Sequence, residues 1–285
     1  MFEIKRIGFV KRASALLLDA ILLAVLTTGF MFIISLICRY DHHWALAKEY
    51  YQEWEDFRKE YIGDVAEYYG FEYIEDGDNY SIKNSEGESA TLDEVVDKLK
   101  KSEGQDAETK EAYEVYLSLP SVSKVNAQYT LIYNMLFMMT SIGVLLSYLV
   151  LEFIIPIILK NGQTVGKKVF SIALVRPDCV KISTMALFAR TLLGKFAIET
   201  MFPILLIFLL ITGGLGWLSI VLLAALTILN IALFFATKNR TPIHDLLAST
   251  VAVDMKLQMI FATEEELVQK KSLAAKESAE NNKTY

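Results

Sequence analysis

Three long apolar stretches, almost empty of charge, limit what this chain can become. Residues 13–37 hold Asp19 alone, residues 125–159 hold Glu152 alone, and residues 200–237 hold no charge. A bilayer's hydrocarbon core needs about 20 apolar residues per helix. Inside lipid a helix satisfies its own backbone groups, so each stretch fits a spanning helix. The third stretch as one helix would be about 57 Å long at 1.5 Å per residue, more than a membrane needs. Gly213-Gly214-Leu215-Gly216 within it supplies the backbone freedom for a turn. A helical hairpin is therefore expected, with spans at 196–212 and 215–236.

Charge is partitioned as sharply as hydropathy. Residues 38–124 hold 22 acidic and 10 basic residues, so the rest of this chain of net charge −6 sums to +6. Residues 1–12 carry four Lys/Arg against Glu3, and residues 160–195 carry seven against Asp178. Short basic flanks stay on the cytoplasmic side. That expectation gives a multi-pass protein of the cell membrane with both termini cytoplasmic. The acidic segment then lies outside, where its charge also argues against nucleic acid. The N-terminus resembles a signal peptide, but its apolar run exceeds the usual 7–15 residues and lacks a small-x-small end, so a retained anchor is expected. Cys38 and Cys179 are assigned to opposite sides, so no intrachain disulfide is expected.

The expected fold is all-α and membrane-embedded: a four-helix transmembrane bundle with a small cytoplasmic β pairing and an inserted, mainly helical extracytoplasmic domain. Its parts are the basic N-terminus with span one (1–37), the insertion (38–128), span two (129–159) and a cytoplasmic basic loop with an interfacial helix (160–195). Spans three and four (196–236), a cytoplasmic segment (237–260) and a polar tail (261–285) follow. In the insertion, Tyr50, Trp54, Phe57, Tyr61, Val65 and Tyr68 recur every three or four residues, as on one face of an amphipathic helix. Residues 71–83 read as two short strands around Asp76-Gly77-Asp78-Asn79. Thr91 with Glu94 has capping-box spacing ahead of Leu92, Val95, Val96 and Leu99, and a further helix is expected over 109–119. On the cytoplasmic side, residues 168–175 and 250–255 read as strands that pair. Residues 183–195 read as an interfacial helix. Thr263 and Glu266 would cap a short tail helix, with residues 276–285 disordered.

Ionisable residues inside the apolar stretches are the candidate site. Arg12 and Asp19 lie seven residues apart, on one helix face. Asp19 would sit roughly 10 Å inside the inner end of span one and Glu152 roughly 12 Å inside that of span two. Glu199 falls near the same level. A charge in lipid costs about 2.5–3.5 kcal/mol on permissive scales, so these groups should face the bundle interior. One reading is a cation or proton site in which clustered carboxylates repel and raise at least one pKa. The other is structural: Asp19 and Glu152 accept hydrogen bonds or pair with Arg12, Arg190 or Arg240 to fix packing. The outer halves of the spans offer no ionisable residue beyond tyrosines near the rim, so a pathway would need groups such as Thr27, Thr28, Asn134, Ser147 or Asn230, or a second subunit.

The stretch from Val10 through Lys11-Arg12-Ala13 to Asp19 resembles the opening of the RDD family of membrane proteins, named for one arginine and two aspartates. Arg12 and Asp19 match the first two of these. Asn161-Gly162-Gln163-Thr164-Val165-Gly166-Lys167, residues 170–178, and Asn239-Arg240-Thr241-Pro242-Ile243-His244-Asp245 follow in order, with Asp245 as the second aspartate. The resemblance covers residues 6–38 and 129–255. The family usually has Gly where Cys179 and Ser249 stand, and the insertion is far longer than its usual connection. The resemblance implies transport, with cation/proton antiport assigned to some members.

Other signals carry little. Gly162 to Lys168 has three residues between its glycines instead of a Walker loop's four, and Lys where Ser or Thr would follow. Residues 76–87 place Ser81 where a calcium loop needs glycine. His42-His43 read as solvated rim residues, and His244 and Asp245 point apart on a helix. No metal, cofactor or enzyme activity is expected. Two functions stay open. In the first, Arg12, Asp19, Glu152 and Asp245, supported by Arg190, Glu199 and Arg240, form an inner-leaflet cluster handling a monovalent cation or proton. In the second, a membrane scaffold or sensor uses the insertion to bind a protein partner. The bilayer is a partner in both, and a homo-oligomer fits either.

Overall fold

The computed structural model describes residues 4, 7–76, 79–237 and 241–281. The chain divides into two compact units, Met1–Ile34 with Phe137–Tyr285, and Ser35–Leu136. The first long helix, α1 (Phe9–Cys38), begins in the former. Leu16, Leu17, Ile21, Val25 and Phe32 are exposed along it, an apolar surface that suits lipid better than water.

The inserted unit contains α2 (Tyr40–Phe57), a π-helical turn (Arg58–Ile62) and α3 (Gly63–Tyr68). Its buried face is Phe57, Ile62, Val65 and Ala66, while Tyr68 is exposed. This departs from the expected stripe because a π turn closes i→i+5 bonds and re-phases everything after Phe57. Strands β1 (Glu72–Asp76), β2 (Asn79–Lys83) and β3 (Ser89–Ala90) form an antiparallel meander. The third strand was not expected, and Gly77 and Asp78 of the expected turn lie outside the described residues. Helix α4 (Leu92–Ser102) starts at the expected capping box, where the Glu94 carboxylate accepts from the Thr91 N–H at 3.2 Å. Helix α5 (Lys110–Ser118) completes a core in which Ile82, Val95, Val96, Leu99 and Ala112 join Phe57. Arg58 is buried beside it but fully met, by Glu55 at 2.6 Å, Glu75 at 3.3 Å and the Tyr73 hydroxyl. A buried guanidinium is tolerated on those terms.

Helix α6 (Val122–Tyr148) runs into a π segment (Leu149–Ile154) and α7 (Ile155–Leu159). A Cβ on Gly143 would lie 2.9 Å from the Met31 side chain and 3.3 Å from the Thr27 carbonyl, so glycine lets α6 lie close to α1. After α7 come α8 (Val165–Val169) and β4 (Ile172–Val175). The expected strand over 168–175 is thus helical at its start, because Thr164 caps α8. Helix α9 (Thr184–Ala189), a 12-residue π segment (Arg190–Met201) and α10 (Phe202–Ile211) make one continuous run. The expected interfacial helix and third span are therefore a single rod, since nothing in Arg190–Met201 breaks the helix. Gly213 and Gly216, both at positive φ, form the expected turn into α11 (Trp217–Ala236). Helix α12 (Ile243–Leu247) leads to β5 (Val251–Asp254), which pairs antiparallel with β4, Ile172 opposite Asp254 and Val175 opposite Val251. That pairing is as expected. Helix α13 (Glu264–Asn281) continues through residues 276–281, where disorder was expected.

Among the described residues, three helical runs are long and apolar enough to cross a membrane, Phe9–Cys38, the run ending at Leu159, and Thr184–Ile211. Trp217–Leu233 in α11 is a shorter apolar helix.

Candidate functional site

The site grows from the loop that follows α7. Lys160, Asn161 and Gly162 all take positive φ, turning the chain back so that Thr164 can cap α8. A Cβ on Gly162 would sit 2.9 Å from that of Leu174, which seats this turn on β4. The Thr164 hydroxyl accepts from the Lys167 N–H at 3.3 Å and donates to Asp19 of α1. The Gly166 N–H donates to the other Asp19 oxygen at 2.8 Å. A Cβ at Gly166 would lie 2.4 Å from the Ala15 carbonyl oxygen, so only glycine brings α8 this close to α1.

Lys167 then enters the interior. Its ammonium is 3.6 Å from a Glu152 oxygen, and its Nζ is buried without a hydrogen-bond partner among the described residues. Glu152, from the π segment after α6, also meets Lys195, Arg190 at 3.3 Å, and through its backbone carbonyl the Thr191 hydroxyl at 2.9 Å. Arg190 donates through Nε to Asp245 at 2.7 Å. Asp245 further meets Arg12 at 3.2 Å and the Thr250 hydroxyl at 3.0 Å. Glu199 accepts from His244 Nδ1 at 2.7 Å, the His244 N–H at 3.3 Å and Asn230 at 3.4 Å. Gly194 makes room for α12, since a Cβ there would fall 2.5 Å from that of His244.

The π geometry puts the charges of this helix together. With i→i+5 bonding the fifth residue returns to nearly the same face, so Arg190, Lys195 and Glu199 line one wall. An α-helix advances about 100° per residue and would turn Lys195 away from Arg190. A cavity of about 370 Å³ lies against this wall and is also lined by Arg12, Asp19, Lys167, His244 and Asp245. Apart from Asn230 its remaining lining is apolar, with Phe9, Leu16, Ile172 and Leu174 prominent.

The expected cluster is thus assembled in part. Arg12, Glu152, Arg190 and Asp245 form one ionic chain, and Asp19 and Glu199 border the same cavity. Arg240 lies outside the described residues. Of the polar groups suggested for a pathway, Asn230 lines the cavity, whereas the Ser147 hydroxyl is spent on the Gly143 carbonyl at 2.8 Å. Mutual repulsion of the carboxylates is not what the geometry holds: cations and donors separate them. Burial would raise the Asp245 carboxyl, but Arg190, His244 and Arg12 outweigh it and hold it well below the usual carboxylate range. Burial pushes the Lys167 ammonium down to about 7, the field of Glu152 only partly opposing it against Arg190 and Lys195. His244 is likewise lowered by burial. Lys167 and Lys195 were not singled out as site residues from sequence, where both counted only towards the basic stretch 160–195.

One comparison bears on identity. The RDD family model matches residues 6–249. The chain belongs to the RDD family. No curated protein and no solved structure matches it. The residues that the sequence resemblance matches to the arginine and two aspartates of the family's name are Arg12, Asp19 and Asp245. Arg12 and Asp245 bond each other, while Asp19 ties α1 to α8. Cys179 and Ser249, where the resemblance leads glycine to be expected, adopt φ of 68° and 49°, the left-handed region in which glycine is favoured.

Proposed function

We propose that this RDD protein is a four-span, transport-related protein of the cell membrane whose inner-leaflet cluster handles a proton, with Lys167 as the exchanging group. The observation that carries the reading is a buried ammonium with no hydrogen-bond acceptor among the described residues, at a cavity bordered by groups from separate helices. Glu152, Asp245 and Glu199 are each held by two or more donors. A bare cation would have to displace those donors, which favours the proton over a monovalent cation. In this reading α11 is the fourth span, the basic flanks and both termini face the cytoplasm, and the inserted unit lies outside. Vesicles holding the purified protein, given an imposed proton gradient, test it. Proton flux that falls in Lys167→Met and Glu152→Gln is expected; absent flux, or flux unchanged in both variants, refutes it.

A second reading, a scaffold or sensor with no transport, is favoured by the completeness of the ion pairing, which also suits a cluster that only locks helices. The inserted unit, with a core of its own, would then bind a protein partner. Loss of cellular phenotype on deleting residues 44–122 while proton flux persists would divide the two roles.

A further inference from the structure

We infer that the cavity beside α8 binds an oxyanion, phosphate or carboxylate, carried on an apolar body, with the head at Lys167 and the body along Phe9, Leu16, Ile172 and Leu174. The inference rests on the proton-handling reading and names the ligand class of that site.

Hydrogen-bond accounting points this way. Each carboxylate at the cavity already has its donors: Asp19 the Thr164 hydroxyl and Gly166 N–H, Asp245 the Arg190, Arg12 and Thr250 groups, Glu199 those of His244 and Asn230. No carboxylate waits for a cation. The unmet group is a donor, the Lys167 ammonium, whose Nζ stands 3.6 Å from a Glu152 oxygen and has no hydrogen-bond acceptor among the described residues. Buried polar groups find partners in nearly all native structures, and an orphan points to a missing ligand or water. The space is large for water alone: about 370 Å³, against about 30 Å³ for one water in the liquid, and within the usual range of ligand pockets. Its aliphatic remainder offers water few partners but suits a hydrocarbon chain.

Lys167 faces Glu152 from the π segment after α6, Arg190 and Lys195 from the π segment after α9, and Asp19 from α1. An oxyanion placed against it favours its protonated form. At a pH where Nζ is unprotonated in the empty site, binding therefore draws a proton from bulk water onto it and release returns it, which couples the ligand to proton movement. Two sources share this chemistry, the headgroup of an anionic bilayer lipid and a cytoplasmic amphiphile.

The test uses full-length protein in phosphatidylcholine nanodiscs, titrated calorimetrically near pH 8 with decyl phosphate and with inorganic phosphate, in buffers of different ionisation heat, against empty nanodiscs. Decyl phosphate should bind saturably with net proton uptake, and inorganic phosphate at least tenfold more weakly. Lys167→Arg should keep binding and lose the uptake; Lys167→Met should weaken binding at least tenfold. If the natural source is the bilayer, phosphatidylglycerol in the discs suppresses the titration; if it is a solute, the titration is unchanged. Absence of saturable binding by the wild type, or equal binding by Lys167→Met, overturns the inference. Should Lys167→Met fail to fold, the Arg variant decides: proton uptake that persists in it overturns the inference. Binding with uptake but no vesicle flux removes the transport reading and leaves this site standing; flux without binding does the reverse.

Discussion

Replacing Gly166 with alanine should damage this protein even though alanine is the better helix former by about 0.5–1 kcal/mol. The added Cβ would stand 2.4 Å from the Ala15 carbonyl oxygen and 2.9 Å from the Asp19 carboxyl carbon. Even a close C···O contact needs about 3.3 Å, so α8 must retreat by roughly 0.9 Å relative to α1. That movement stretches the Gly166 N–H···Asp19 bond from 2.8 Å beyond useful length and pulls on the Thr164 contact to the same carboxylate. Overpacking costs about 1–3 kcal/mol, and a lost hydrogen bond to a charged group about 1.5–3 kcal/mol. A net loss of about 2–5 kcal/mol follows, a fall on the order of 10 °C in the melting midpoint for a chain of this size. Thermal unfolding of the detergent-solubilised variant measures it, and hydrogen exchange should show faster opening at residues 164–169. A variant as stable as the wild type, or more stable, would refute the proposed closeness of α8 to α1.

Ser249→Gly should stabilise by about 1 kcal/mol, because Ser249 is exposed and holds φ 49° without using its side chain in the core; an unchanged or lowered melting midpoint counts against it. Lys167, lowered to about 7 when folded, binds fewer protons there than in the unfolded chain, so stability should rise with pH from about 7 towards the ordinary lysine value. Lys167→Met should flatten that slope, and equal slopes in both proteins would rule out this assignment. Glu152→Gln leaves Lys167, Lys195 and Arg190 facing one another and should cost about 3–5 kcal/mol, part of which adding Lys167→Met restores; strictly additive effects in denaturation would contradict the shared pairing. Impermeant thiol reagents should reach Cys38 and a Ser272→Cys variant from opposite sides of sealed vesicles. Cys179 is buried and makes a poor reporter. Labelling of both from one side would reverse the proposed topology.

Much of the fold could be read directly from residues. The charge-free stretches, the Gly213–Gly216 turn, the Thr91–Glu94 cap and the pairing of residues near 172 and 252 all depend on local chemistry that one segment carries by itself. The Arg12–Asp245 pair needed the family resemblance, since 233 positions separate the partners. What stayed hidden depended on phase and proximity. The π turns move Tyr68 out of the inserted core and bring Lys195 under Glu152, yet no residue in either segment announces i→i+5 bonding. Lys167 and Lys195 counted only as part of a basic flank, because charge counting records sign without depth. Gly166 and Gly194 read as ordinary loop or helix glycines, because the backbones they admit come from distant parts of the chain.

The long π segment also bears on how this family can tolerate length changes. A π turn holds one residue more than an α turn, so Arg190–Met201 resembles a helix that has accommodated an insertion without lengthening. Removing one residue between Arg190 and Lys195 lets that turn relax to α geometry, where a spacing of four still places the pair within about 40° at 100° per residue. Adding one residue has no such outlet and swings Lys195 and Glu199 off the wall. Related sequences with single-residue deletions at 191–194 should therefore keep the charged wall, and those with single insertions should have lost or rebuilt it.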